Sequence, residues 1–588
     1  MTYRAPVSET LFFLEHCTGL GKIAGQGAQA DLSLDLVKSV LEEAGKFAGE
    51  RLAPLNRSGD QIGSKLVDGN VVTPPGWKEA YRDWTAAGWN GLAGPVDFGG
   101  QGLPAMINMA AFEFWSSAAM SFGLCPLLTM AAVDAVEAHG TQELKDKYLA
   151  KIVSGEWTGS MQLTEPQSGS DLANMRTKAV PQGDGTYKIT GTKIFITYGE
   201  HDMTDNIIHL VLARLPDAPA GTKGISLFLV PKFFVNDDGS LGARNDVRCA
   251  SLEHKLGIHA SPTCVMVYGD EGGATGWVIG EENKGLACMF TMMNHARLGV
   301  GVQGVAIAER ATQQALAYSR DRKQGRAPGA TGVSPIADHP DVKRMLMTMR
   351  ALTNASRAIC LRTADALDRS KNTSDPKVKK EIWEEANLLT PIAKSFSTDA
   401  GMEAASLGVQ VHGGMGFIEE TGAAQHMRDA RITAIYEGTN GIQAIDLVTR
   451  KIGQSGGETL KRLMAEYRST ANQVAKSNDP AFGKTAQRLN ETLDALERAT
   501  KYIVEALGRD QAEALAGATP YQKLFGLASG GSYLAQAALA ERVGGAPAGR
   551  VAIARFFAEN LCTQAEGLET TVIEGAASVS QSEAALVA

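Results

Sequence analysis

The residue best placed to do chemistry is a carboxylate in apolar company. In Arg431-Ile-Thr-Ala-Ile-Tyr-Glu-Gly-Thr-Asn-Gly-Ile-Gln443, Glu437 follows Ile435 and Tyr436 and precedes Gly438, Thr439 and Asn440. Burial disfavours a charged carboxyl, so such a Glu is a candidate general base with a pKa raised toward neutrality. The same letters also suit a helix start, with Gly438-Thr439-Asn440 as the cap of the apolar run Ile442-Gln-Ala-Ile-Asp-Leu-Val448. Residue types alone leave both readings open.

Other motifs carry less. Gly299-x-Gly301-x-x-Gly304 completes a G-x-G-x-x-G pattern, but Met289–Met293 before it is helical rather than a strand. Close helix packing explains it better than a dinucleotide turn. Two G-x-G-x-x-A matches before residue 31, at Gly19 and Gly25, also lack a preceding strand. The seven cysteines, at 17, 125, 249, 264, 288, 360 and 562, form no C-x-x-C and have no His at zinc-ligand spacing. They predict reduced thiols of a cytoplasmic protein and no metal site.

The elements that must position Glu437 lie in a chain of 588 residues, too long for one core, so several domains are expected. A net charge of -8 with 21% charged residues offers no basic footprint for nucleic acid. No run of 18 apolar residues occurs, and Leu11-Phe-Phe-Leu14 is cut short by Glu15 and His16 with no basic segment before it, so neither a signal peptide nor a membrane span is expected.

Residues 1–30 read as an irregular lead-in. A helical domain is expected over 31–155: one helix from Asp31 to Arg51 stopped by Pro54, then Ala105–Met120, Pro126–His139 and Gln142–Ser154. Over 156–285 short β-branched runs separated by Gly, Pro and Asp turns predict strands at Trp157–Leu163, Tyr187–Thr197, Ile207–Ala213, Ile225–Val230, Cys264–Tyr268 and Trp277–Ile279. Helices return at 286–323, 338–370, 376–411 and 441–453, giving a domain over 286–452. A further helical domain fills 453–588, with helices near 457–477, 480–508, 520–542 and 547–563 and a loosely held tail of about twenty residues.

This helical, β, helical order, together with Leu163-Thr-Glu-Pro-Gln-Ser-Gly-Ser-Asp171, Gly191-Thr-Lys-Ile-Phe-Ile-Thr197, Val409-Gln-Val-His-Gly-Gly-Met-Gly416 and Ile435-Tyr-Glu-Gly-Thr439, closely resembles the acyl-CoA dehydrogenase family of flavoproteins over about 31–452. The Tyr3-Arg-Ala-Pro6 opening and the extra C-terminal helices resemble its long-format branch, most of all the 3-methylmercaptopropionyl-CoA dehydrogenases of dimethylsulfoniopropionate breakdown. The resemblance implies a mainly α fold with a central β-barrel-like domain, a C-terminal four-helix bundle and a helical extension. It implies FAD-dependent conversion of an acyl-CoA to the trans-2-enoyl-CoA, with a thioether or short- to medium-chain acyl group, electrons passed to electron transfer flavoprotein, and a homodimer. Long-chain acyl-CoA, reoxidation by oxygen in an oxidase, and a non-enzymatic flavin-containing scaffold stand as alternatives. An intact Glu437 and the acidic balance count against the last.

Residue by residue, the resemblance makes Glu437 the base and Leu163, Thr164, Phe195 and Thr197 the flavin-ring contacts. Arg322, Gln410, Gly413, Gly414 and Thr439 match the adenosine and pyrophosphate side, with the arginine offered by a neighbouring subunit. Ser170, Asn294, Arg297 and Gly438 match the substrate side, and His412 belongs to the adenosine loop with no proton-transfer role. Each also has a plain structural reading: an ordinary strand for Thr197, a polar turn for Ser170, a solvated turn for Arg322, a buried ion-pair partner for Arg297. The family's Arg-x-x-Phe-Gly is replaced by Arg322-Lys-Gln-Gly325, one residue shorter and without the aromatic, so Arg320 and Arg326 stand as alternatives.

Overall fold

The computed structural model describes residues 3–26, 29–544 and 549–587. Gly27 of the second glycine match, and positions 547 and 548 of the last expected helix, lie outside that set. The chain opens on a helix, Val7–Cys17, where the sequence predicts irregular structure. Phe13, Leu14 and Cys17 are buried, and Gln536 Nε2, from the helix Ala518–Val543, donates to His16 O at 3.0 Å. Its partner surface comes from more than 500 residues downstream, which local periodicity cannot reveal.

Pro54 does not stop the next helix. Leu34–Phe47, capped by Ser33, runs into a widened turn, Ala48–Leu52, and a new helix Ala53–Ile62 holds Pro54 in its first turn, where a missing N–H costs nothing. Pro126 likewise lies inside a longer helix, α1 (Met120–His139), rather than at its start. This helix is long and apolar enough to cross a membrane by length and hydropathy, yet 89% of its apolar window is buried within the fold.

The β domain contains β1 (Thr158–Gln162), β2 (Lys178–Pro181), β3 (Tyr187–Thr197), β4 (Ile207–Arg214), β5 (Ile225–Pro231), β6 (Val247–Leu252), β7 (Thr263–Tyr268) and β8 (Ala274–Ile279). They pair in the order β6-β7-β3-β8-β5-β4-β1, and β2 bridges β3 to β4, closing β3-β8-β5-β4-β2 into a barrel-like ring. β2, β6 and the small hairpin Phe233–Val235/Leu241–Arg244 escape the sequence reading because they are short, three to six residues each.

Three long helices form the bundle: α2 (Gly285–Asp321), α3 (Pro340–Lys371) and α4 (Pro376–His412), of 37, 32 and 37 residues. Its fourth side is short, made by α5 (Asn440–Asp446) and the wide turn Leu447–Lys451. The glycines of the G-x-G-x-x-G match sit mid-helix. A Cβ on Gly301 would lie 2.5 Å from Ala393 O, and one on Gly304 would overlap Ser397 O. Small residues therefore let α2 and α4 touch backbone to backbone, and this contact sets Arg297, one turn before Gly301, near the level of Lys394. The extension lies behind α4: α6 (Ala518–Val543) packs Gly526 on Phe396, and Gln522 Nε2 donates to Pro391 O at 3.3 Å.

Candidate functional site

Glu437 lies in a tight loop between the turn Arg431–Ala434 and α5. Its φ is 57°, and Gly438 follows at 83°. A non-glycine residue in this left-handed region costs about 1–2 kcal/mol, so neighbours must hold it there. Gln443 Nε2 donates to Glu437 O at 3.2 Å, and Tyr436 Oη donates to Gln303 Oε1. Thr439 is the N-cap of α5, its Oγ1 accepting from Ile442 N at 3.2 Å. The cap and the exceptional carboxylate are thus parts of one loop, with Glu437 two residues before the capping threonine.

Among the described residues neither the Glu437 carboxylate nor its backbone N–H has a hydrogen-bond partner. Burial pushes the carboxyl up to about 7, against the opposing fields of Arg297 and then Lys394. Arg297 is 6% exposed, pairs with Asp446 Oδ2 at 3.6 Å, lies over the Phe290 ring at 5.8 Å, and keeps a buried Nε without a partner among the described residues. It is both an ion-pair partner and a neighbour of the base. Asn294 lies one helical turn before it, half-buried.

The two β motifs are stitched together. Ile194 N donates to Thr164 O at 2.9 Å, and buried Lys193 Nζ donates to Leu163 O at 3.1 Å and Glu165 Oε1 at 2.8 Å. Burial would raise the Glu165 carboxyl, but the Lys193 charge and hydrogen bonds from Lys193, Thr177 and Arg176 N hold it at about 2. Such a pair costs desolvation and returns a fixed geometry. Across β3 the register to β7 shifts between Cys264 and Met266, opposite a bulge that contains Phe195. Phe195 has φ 60° and is 59% exposed, so the bulge turns an aromatic ring outward. The half-buried hydroxyls of Thr164 and Thr197 have no partner among the described residues. An outward ring beside two free hydroxyls fits a flavin. Leu163 packs on the same core cluster as Met293 of α2, which ties this surface to the helix carrying Asn294 and Arg297. Ser170 is exposed in the bend that follows the Glu165–Ser168 bridge.

The remaining residues lie elsewhere. Arg322 follows the end of α2, and Gln410, Gly413 and Gly414 stand at the end of α4, all exposed. These ends adjoin, since Tyr318 stacks on His412 with centroids 4.4 Å apart. Eighteen residues of α4 separate His412 from Lys394, which at 1.5 Å per residue is about 27 Å. One chain therefore brings Glu437, Gly438, Thr439, Asn294 and Arg297 together and leaves Arg322, Gln410, Gly413 and Gly414 at the far end of the bundle.

Sequence reading missed Lys394 and Gln443. The available signal was a lone lysine in Leu388-Leu-Thr-Pro-Ile-Ala-Lys-Ser-Phe396, a charge on a helix face otherwise apolar or small.

Comparison with known proteins decides the family. Residues 37–156, 160–270 and 283–452 match the models of the acyl-CoA dehydrogenase N-terminal, middle and C-terminal domains. The chain belongs to the acyl-CoA dehydrogenase family. Residues 463–583 of this acyl-CoA dehydrogenase match a further model, acetyl-CoA dehydrogenase C-terminal like. It is 47% identical to the 3-methylmercaptopropionyl-CoA dehydrogenase of Ruegeria pomeroyi over 96% of its own length and 97% of that protein's. Its fold is that of Caenorhabditis elegans ACDH-11 in complex with C11-CoA, with a TM-score of 0.78, 19% identity and coverage of 97% and 96%. Butyryl-CoA dehydrogenase from Megasphaera elsdenii matches 70% of this chain and 97% of its own, at 28% identity and a TM-score of 0.58. The protein is accordingly an FAD-dependent oxidoreductase that dehydrogenates an acyl-CoA thioester.

Proposed function

We propose that Glu437 takes the α-proton of the acyl thioester and that the physiological acyl group is 3-methylmercaptopropionyl. The single observation that carries the base assignment is the left-handed loop that presents a half-buried carboxylate and a backbone N–H, both without hydrogen-bond partners among the described residues. The carboxylate has no competing donor to satisfy before it accepts the proton, and the Glu437 N–H is free to donate to the thioester oxygen as it gains negative charge. Bound FAD would supply the acceptor for the β-hydrogen, which leaves the substrate as hydride. Leu163, Thr164, Phe195 and Thr197 would hold the flavin ring, Thr439 the pyrophosphate, and Ser170, Asn294, Arg297 and Gly438 the substrate.

Arg322, Gln410, Gly413 and Gly414 would serve the adenosine and pyrophosphate of a site completed by a second copy, since they stand about 27 Å along α4 from the base loop. We read the working protein as a homodimer that passes electrons to electron transfer flavoprotein. A cytoplasmic setting accords with seven buried, unpaired cysteines.

The thioether reading rests on the 47% relative. Sulfur replaces a methylene with little change of shape, and a pocket separates chains differing by one methylene by only about 1–3 kcal/mol. The test is kcat/KM measured side by side for 3-methylmercaptopropionyl-CoA and straight-chain acyl-CoAs from butanoyl to hexadecanoyl. The thioether is expected to lead; a maximum at long chains would overturn the substrate assignment while leaving the dehydrogenase intact.

A further inference from the structure

Under the base loop, on α4, Lys394 is completely buried. No carboxylate pairs with it among the described residues; its Nζ donates to Asn440 Oδ1 at 2.8 Å. Asn440 in turn donates through Nδ2 to Asp399 Oδ1 at 2.7 Å and to Ser395 O at 3.3 Å. The first residue of α5 is therefore pinned to α4 three positions after Glu437. Burying an ammonium without a counter-ion in contact is costly and favours loss of its proton, so the neighbouring charges decide how much of the charge is kept.

The charges that face this group come from every element around it. Glu437 of the base loop and Asp399 of α4 favour the ammonium, while Arg297 of α2 opposes it; burial dominates and lowers the lysine to about 7. Asp399 itself faces Lys394, Lys523 of α6 and Arg431 at the start of the loop. Glu437 faces Arg297 and Lys394.

We propose that Lys394 is a positioning residue for α-proton transfer, holding the loop through Asn440 and using its charge to keep Glu437 ionised in a site that excludes water. The proposal rests on Glu437 being the base. In the step itself the α-carbon's proton passes to a Glu437 oxygen, the C–H electron pair remains on the substrate, and Lys394 keeps its protons. The carboxylate is desolvated as substrate enters, which favours its neutral and useless form; a cation in the same dry surroundings offsets that drift. The balance leaves a base that is ionised near neutral pH yet still strong enough to act.

The test is the pH profile of flavin reduction by acyl-CoA in anaerobic holoenzyme, with Tm measured alongside as the report on packing. Lys394→Gln keeps a donor for Asn440 without the charge, Lys394→Met removes both, and Lys394→Arg keeps a cation. The midpoint of the acidic limb should move up by about one unit in the Gln and Met forms, and should not rise in the Arg form. Slower reduction at every pH with an unmoved midpoint would overturn the proposal, as would equal upward shifts in all three. If Lys394→Met yields no holoenzyme, the Gln and Arg forms decide the sign. Glu437→Gln in the same series separates the two claims: reduction at the normal rate there refutes the base assignment, whereas its loss together with unmoved Lys394 variants refutes only the role of the lysine.

Discussion

The side-chain amide of Gln443 donates to the main-chain carbonyl of Glu437 at 3.2 Å, so α5 props from behind the left-handed residue that precedes it. Gln443 is fully buried and its Oε1 has no partner among the described residues. Replacement by Leu keeps the bulk and removes the donor, worth about 1 kcal/mol. We expect Gln443→Leu to retain FAD and lower the rate of flavin reduction about tenfold, with KM changed far less. Stopped-flow reduction checks this; an unchanged rate means that the loop is held by other contacts.

Proton abstraction requires ionised Glu437, whose carboxyl burial raises to about 7. The competent form is lost as pH falls through that value. Flavin reduction by acyl-CoA should therefore climb with pH across neutrality and level off above it. A profile flat from pH 5.5 to 8.5 contradicts this assignment of the acidic limb.

Phe195 carries the cost of a left-handed backbone for an exposed ring. Phe195→Gly relieves the strain, about 1 kcal/mol, while removing the surface offered to the flavin. The substituted apoprotein should melt at the same temperature or slightly higher, and its FAD affinity should fall several-fold, as the loss of an aromatic contact predicts. Apoprotein Tm and fluorescence titration with FAD read the two effects separately. Loss of stability without loss of affinity would make the bulge a purely structural device.

Gly304 lies where α2 meets Ser397 of α4 with no room for a Cβ. Gly304→Val should destabilise the fold by roughly 1–3 kcal/mol or more through overpacking, seen as a lower Tm, and should separate Arg297 from Lys394. A neutral effect would show that the bundle can repack.

The β strands and long helices were legible because burial imposes period two on β3 and a sustained apolar face on α2, α3 and α4. The N-terminal helix was not: Leu11-Phe-Phe-Leu14 finds its partner in α6, and no local pattern encodes a contact across the whole chain. Pro54 misled because it sits in the first turn of a new helix, where no donor is needed, and Pro126 because the apolar helix runs on through it. In the site, Glu437 stood out because motif and surroundings coincide. Lys394 and Gln443 did not, since their significance depends on which helix turns face the loop, and that is fixed only by the glycine contact between α2 and α4. The far placement of Arg322 from Glu437 was equally hidden, because spacing along a sequence says nothing about which end of a bundle a residue reaches.

The most direct measurement is anaerobic mixing of Glu437→Gln holoenzyme with 3-methylmercaptopropionyl-CoA and with butanoyl-CoA while the flavin spectrum is followed. The account predicts a protein that retains oxidised FAD, binds the thioester, and shows reduction slowed by at least about 1,000-fold, since a general base contributes up to about 10⁴. Reduction at the rate of the unsubstituted enzyme would contradict it.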